Sequence, residues 1–114
     1  MLNEKDSIYI EESLYAINHI SEYTEQITTL EELLKDTKTY DAVMMNFIVL
    51  GESASKLSDD IKSQLPHVDW RAIKGFRNFL AHDYFGVDEN IVWAAIRVHL
   101  PHLKNDFENL LHNS

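Results

Sequence analysis

Residues 40–57, YDAVMMNFIVLGESASKL, carry apolar side chains around most of a helical circumference. Such a run predicts a helix buried on more than one side, beginning near Thr39 and forming the centre of a helical bundle. Gly51 lies inside it, where glycine costs about 1 kcal/mol relative to alanine. A close approach by another helix is the expected reason for tolerating it.

The flanking sequence extends the same pattern. Ile10, Leu14, Ile17 and Ile20 recur at spacings of four and three, the stripe of an amphipathic helix over residues 7–23, with Asp6 as its expected N-cap. Thr29 followed by Glu32 forms a capping box for a short helix that ends near Asp36. A single helical turn or short helix is expected before Pro66. Asp69 should cap a helix over WRAIKGFRNFLAHDYF, which Gly86 would end in a left-handed conformation. Asp88 should cap a last helix, bent at Pro101 because proline removes the bond to the carbonyl of residue 97. The expected class is all-α, an antiparallel bundle of four to five helices.

Composition agrees. The 114 residues fit a single domain, 1–114, and three glycines and two prolines provide few turns for a β-sandwich or barrel. There is no cysteine, hence no disulfide framework and no thiolate nucleophile or metal ligand. No secretory signal and no membrane-length apolar segment is legible, so a cytoplasmic location is the expectation. The six histidines include no i, i+4 pair with a third clustered ligand, and neither zinc nor a cofactor is expected.

The net charge of −9 argues against coating nucleic acid by charge alone. Its distribution is uneven. Residues 61–82 hold Lys62, Arg71, Lys74 and Arg77 against Asp69 alone, a local +3 in an otherwise acidic chain.

That basic segment runs into RNFLAHDYFGVD, residues 77–88. With Arg77 at zero on a wheel of about 100° per residue, Trp70, Ile73, Phe76, Phe79, Leu80, Ala81 and Tyr84 form an apolar arc. Lys74, Asn78, Arg71 and His82 form a polar stripe between about 60° and 140°. Asn78 and His82 are i, i+4 neighbours, and Arg77 lies between stripe and arc. Its guanidinium either pairs across a helix interface, with Glu52 as one candidate, or reaches the His82 side to serve an anion.

Histidine exchanges protons near neutral pH and arginine binds phosphate while staying charged. Together they suffice to cleave RNA without a metal, the base taking the ribose 2′-OH proton and the guanidinium stabilising charge at phosphorus. On spacing alone, the structural reading stands ahead of this one: Arg77 as an interhelical ion pair and His82 as a polar residue near a helix end.

RNFLAHDY resembles the Arg-x4-His-x-Tyr motif of the HEPN superfamily. It is specifically similar to the HepT toxins of HEPN/nucleotidyltransferase pairs, a likeness that extends over YIEESLYAINHISEYT, DAVMMNFIVLGESASKLS, VDWRAIKGFRNFLAHDYFGVD and IVWAAIRVHLPHL. The resemblance implies a HEPN-like bundle and a homodimer whose two motifs line one cleft. It implies a metal-independent endoribonuclease in a type VII-like toxin–antitoxin pair, with Arg77 and His82 as the catalytic residues. Asn78, with Lys74 and Arg71, would support RNA phosphate binding. Tyr84 would accept AMP from the cognate nucleotidyltransferase antitoxin. An alternative is a non-catalytic subunit of a nucleotidyltransferase, in which Arg77 and His82 only grip a nucleotide phosphate.

Two residue types have blander readings. Trp70 and Trp93 are expected as core or dimer-interface anchors rather than base-stacking platforms. His67, beside Pro66 in a turn, is expected on the surface.

Overall fold

Helix-forming runs between well-capped ends give an all-helical chain. The computed structural model describes residues 2–113. In order these form α1 (Glu4–Tyr23), α2 (Leu30–Lys35), α3 (Thr37–Ser55), α4 (Asp59–Gln64), α5 (Trp70–His82), a 3₁₀ turn (Tyr84–Gly86), α6 (Glu89–Ala94), a π-helical turn (Ala95–His99) and α7 (Leu100–His112). No strand occurs among the described residues.

α3 packs against α1 on one side and α5 on the other, and α1 also packs on α7. The α1–α3 pair is antiparallel, since Ser53 Oγ donates to Glu12 at 3.1 Å and Ser58 Oγ to Asp6 at 2.6 Å. Ile10, Ile17 and Ile20 of α1 meet Val43, Met44, Phe47 and Leu50 of α3 in one core, which Val92, Leu100, Leu103 and Phe107 close from the C-terminal side. α3 is buried over most of its circumference, as its composition predicts, apart from its first residues, Thr37 and Lys38, and an outer edge on which Asp41 and Met45 are exposed. Trp70 stacks on the fully buried Phe107 at 6.2 Å, and His67 reaches Asp106 at 2.8 Å. The turn before α5 is thereby tied to α7.

The expected caps Thr29, Asp69 and Asp88 accept from Glu32 N, Ala72 N and Asn90 N at 3.2, 3.0 and 2.9 Å. Asp6 is not the cap of α1. That role belongs to Asn3, whose Oδ1 accepts from Asp6 N at 2.7 Å. The Asp6 carboxylate is buried and accepts instead from the backbone and hydroxyl of Ser58, the N-cap of α4.

Two further expectations change. α5 stops at His82 rather than continuing through Tyr84, and Gly86 is not left-handed, because no described residue has positive φ. Asp83, at φ −146° and ψ 65°, leaves the helical region and ends α5, and its carboxylate lies against Gly86. A Cβ there would lie 2.6 Å from Asp83 Cγ, a contact that the exposed end of the Asp83 side chain can relieve by turning aside. At Pro101 the chain adopts the π-turn just upstream, with the Leu100 N–H bonded to Ala95 O. The wider turn accommodates the ring and the missing donor without ending the helix.

Candidate active site

α5 is held at three levels. At its start the Asp69 cap and a bond from Trp70 Nε1 to Leu65 O at 3.3 Å fix the entry. Midway, Phe76 meets Phe47 edge to face at 5.3 Å and Leu80 is buried. Between them α3 and α5 approach closely at Gly51: a Cβ on Gly51 would overlap Arg77 Cβ and lie 2.9 Å from Arg77 Cγ. The expected close contact at this glycine is present, and its partner is the motif arginine.

One residue further along α3, Glu52 Oε2 receives Arg77 Nη2 at 2.9 Å. Arg77 Nη1 donates to Asn78 Oδ1 at 3.2 Å, while its Nε is buried with no hydrogen-bond partner. Of the two placements open to Arg77, the interhelical pair is the one adopted. Glu52, the candidate partner, makes that pair from a side chain that is 45% exposed and also reaches Lys56 at 3.6 Å. The Arg77 side chain is 33% exposed. A guanidinium has five N–H donors, so donors remain on its terminal nitrogens beyond those given to Glu52 and Asn78.

Arg71, Lys74, Asn78 and His82 are all exposed, which leaves the polar stripe of the wheel intact. The apolar arc is less completely covered than the wheel predicts. Trp70, Ile73 and Phe76 are half-buried, but Ala81 is exposed and Phe79 is 44% exposed. α5 therefore leaves Phe79 and Ala81 open to solvent on either side of its polar stripe. Phe85, three residues beyond His82, is 97% exposed.

Tyr84 lies on the 3₁₀ turn that follows Asp83, off the end of α5. Its hydroxyl donates to Asp41 of α3, and its ring meets Tyr40 edge to face at 6.3 Å. Burial, the Asp41 hydrogen bond and the Asp41 charge together push its hydroxyl well above the ordinary tyrosine range. The Tyr40 hydroxyl is raised in the same direction by burial and by the Glu89 and Asp41 carboxylates. Asp41 is the residue that sequence reasoning missed. A signal existed: once Gly51 is set against Arg77, antiparallel helices of equal rise carry the first turn of α3 to the far end of α5.

Among the described residues, no group of three or more His, Asp or Glu side chains is placed to hold a metal ion. No described helix is long and apolar enough to cross a membrane. Trp93 is half-buried with Arg97 over its ring at 5.5 Å, a packing role like that of Trp70. His67 is on the surface, as expected, although paired with Asp106.

Comparison with known proteins adds the family. Residues 14–110 match the family model described as Ribonuclease HepT-like. The chain is 36% identical over 102 residues to a protein named "Probable ribonuclease HepT" of Thermococcus cleftensis, spanning 90% of this chain and 92% of that one. It is 33% identical over 81 residues to a "Putative RNase" of Methanocaldococcus jannaschii, spanning 71% and 70% of the two chains. No solved structure gives a significant match. With the model covering α1 to α7 and the motif lying inside the matched span, the chain belongs to the ribonuclease HepT-like family.

Proposed function

We propose that this protein is a metal-independent endoribonuclease, active as a homodimer and serving as the toxin of a toxin–antitoxin pair. The observation that carries this reading is that α5 bears both a guanidinium braced by Glu52 and Asn78 and, five residues on, an exposed imidazole, His82, with no hydrogen bond to another described side chain. One group is fixed for charge and the other is free for a proton. His82 takes the proton of a ribose 2′-OH, that oxygen attacks the adjacent phosphorus, and the 5′-oxygen departs with a proton from water. Arg77 neutralises the additional charge at phosphorus. Arg71, Lys74 and Asn78 line the exposed approach for the flanking phosphates.

Dimerisation is supported by the exposed rings of Phe79, on α5, and Phe85, on the turn that follows it. A second copy covering them brings two +3 segments to one cleft, enough to attract RNA locally despite the net charge. Tyr84 is the proposed acceptor of AMP from a cognate nucleotidyltransferase antitoxin. Each AMP adds a phosphodiester charge and a nucleoside next to His82, and competes with RNA for the same cations.

RNA cleavage by the purified protein in the presence of chelator tests the assignment. Arg77→Ala and His82→Ala are each expected to lose about 10²-fold or more. Full cleavage by either variant overturns the roles given to these residues. Absence of cleavage by the wild type, with nucleotide still bound, moves the assignment to a non-catalytic nucleotide-binding subunit. Co-expression with the nucleotidyltransferase is expected to add AMP mass to the wild type and none to Tyr84→Phe.

A further inference from the structure

The Tyr84 hydroxyl carries one proton, and the structure shows where that proton points. It is donated to the carboxylate of Asp41, one turn into α3, across the interface that Gly51 and Arg77 set at the other end. Tyr40 flanks the same oxygen, its ring set edge-on to that of Tyr84 at 6.3 Å. The titratable groups around the hydroxyl are thus Asp41 and Tyr40 from α3, with Glu89 of α6 acting on Tyr40. No cation is among them.

This arrangement decides how the oxygen can react. A free tyrosine has a pKa near 10, so roughly one in a thousand is ionised at pH 7. Partial burial, and after it the Asp41 carboxylate, lower that fraction further for Tyr84. Attack by a preformed phenolate is therefore disfavoured at neutral pH, and the proton must leave as the new bond forms. A base for such a transfer must already be within hydrogen-bond reach. Asp41 is the acceptor in place.

We infer that Asp41 is the general base of AMP transfer onto Tyr84, supplied by the acceptor protein itself rather than by the transferase. The inference rests on the proposed role of Tyr84 as AMP acceptor and goes beyond it by naming the residue that makes the acceptor reactive. Tyr84 Oη bonds to the α-phosphorus of ATP and the bond from that phosphorus to the β-bridging oxygen breaks. Pyrophosphate leaves with the divalent cation that the transferase holds, and the phenolic proton passes to an Asp41 carboxylate oxygen. Tyr40 then narrows the approach to the oxygen without taking part in the proton transfer.

Two features separate this from a purely structural hydrogen bond. Asp41 is exposed, so its carboxylate can release the proton to water after each transfer. Asparagine at this position keeps the shape and an accepting oxygen while losing the ability to take a proton.

The test is the rate of AMP incorporation, followed by intact mass, into full-length protein mixed with its nucleotidyltransferase, ATP and magnesium. Asp41→Asn is expected to slow incorporation by about 10²-fold or more. Its residual rate should climb about tenfold per pH unit between pH 7 and 9, as pre-ionised tyrosine becomes the only route. Asp41→Glu, which restores a carboxylate on a longer arm, should recover a measurable part of the wild-type rate and lose the steep pH dependence. Circular dichroism melts of each variant establish that the acceptor is folded at the assay temperature. Incorporation by Asp41→Asn at the wild-type rate overturns the inference while leaving Tyr84 as acceptor. Equal slowing in Asp41→Asn and Asp41→Glu with a wild-type pH profile also overturns it, because Asp41 would then only position the ring. Wild-type protein that gains no AMP, or Tyr84→Phe that still gains it, overturns the acceptor assignment together with the base.

Discussion

Glu52 holds Arg77 from the neighbouring helix, Oε2 to Nη2 at 2.9 Å, one residue beyond the glycine that lets the two helices touch. Both side chains are partly open to solvent, at 45% and 33%, so the pair stabilises the fold by at most about 1 kcal/mol. Its value lies in where it puts the guanidinium. Glu52→Gln is expected to leave the melting temperature nearly unchanged while RNA cleavage falls about tenfold or more, since a small misplacement of a charge-stabilising group is costly. Parallel melts and cleavage rates check this, and unchanged cleavage would show that Glu52 does not position Arg77.

Gly51→Ala places a methyl group against the root of the Arg77 side chain, where no flexible end can move aside. Overpacking of this kind costs about 1–3 kcal/mol, partly offset by about 1 kcal/mol of helix propensity gained. A net loss in urea denaturation is expected. Gly75, two residues before Arg77 on α5, has nothing within 4 Å of an added Cβ, so Gly75→Ala should instead gain about 0.5–1 kcal/mol. A loss at both glycines would indicate that a second copy approaches α5 as closely as α3 does.

Asp6→Ala removes the acceptor of two hydrogen bonds, from Ser58 N at 2.9 Å and Ser58 Oγ at 2.6 Å. The stranded donors make a loss of about 1–3 kcal/mol the expected outcome, read as a lower urea midpoint. Neither Asp6 nor Ser58 bonds to a residue of the α5 site, and cleavage well below the melting temperature should persist.

Alkaline stability reports on Tyr84. Its folded-state pKa is raised, first by burial and then by Asp41, so the neutral hydroxyl is the form the fold prefers. The contribution is complete below the unfolded value near 10 and is lost as pH rises above it toward the folded value. Tyr40 adds to the same trend. Melting temperatures taken from pH 8 to 11 should fall less steeply for Tyr84→Phe than for the wild type. Parallel curves would show that the Asp41 bond does not persist in solution.

What the sequence made legible was local or periodic. The apolar run 40–57 located the central helix, and Thr29, Asp69 and Asp88 cap where their spacing to the following amides requires. The basic stripe of α5 followed from its periodicity. Asp6 was misassigned because its strongest partner, Ser58, lies 52 residues away, and a carboxylate near a helix start looks like a cap until that partner is known. Gly86 was misjudged because the chain leaves α5 at Asp83 and closes in a 3₁₀ turn without positive φ, a choice that glycine permits but does not announce. Phe79 and Ala81 fell on the apolar side of the wheel, which identifies a face to be covered but not whether one chain covers it. Asp41, 43 residues from Tyr84, became visible only through the α3–α5 register.

An esterified oxygen has no proton to give. Any group joined to the Tyr84 hydroxyl, whatever its size or charge, therefore ends the bond to Asp41 and unfastens the three-residue turn from the first turns of α3. Because that turn begins two residues after His82, a covalent mark there is also a mechanical event at the end of α5. Amide exchange at Asp83–Gly86 would register it, separating loosening of the helix end from simple occlusion of the cleft.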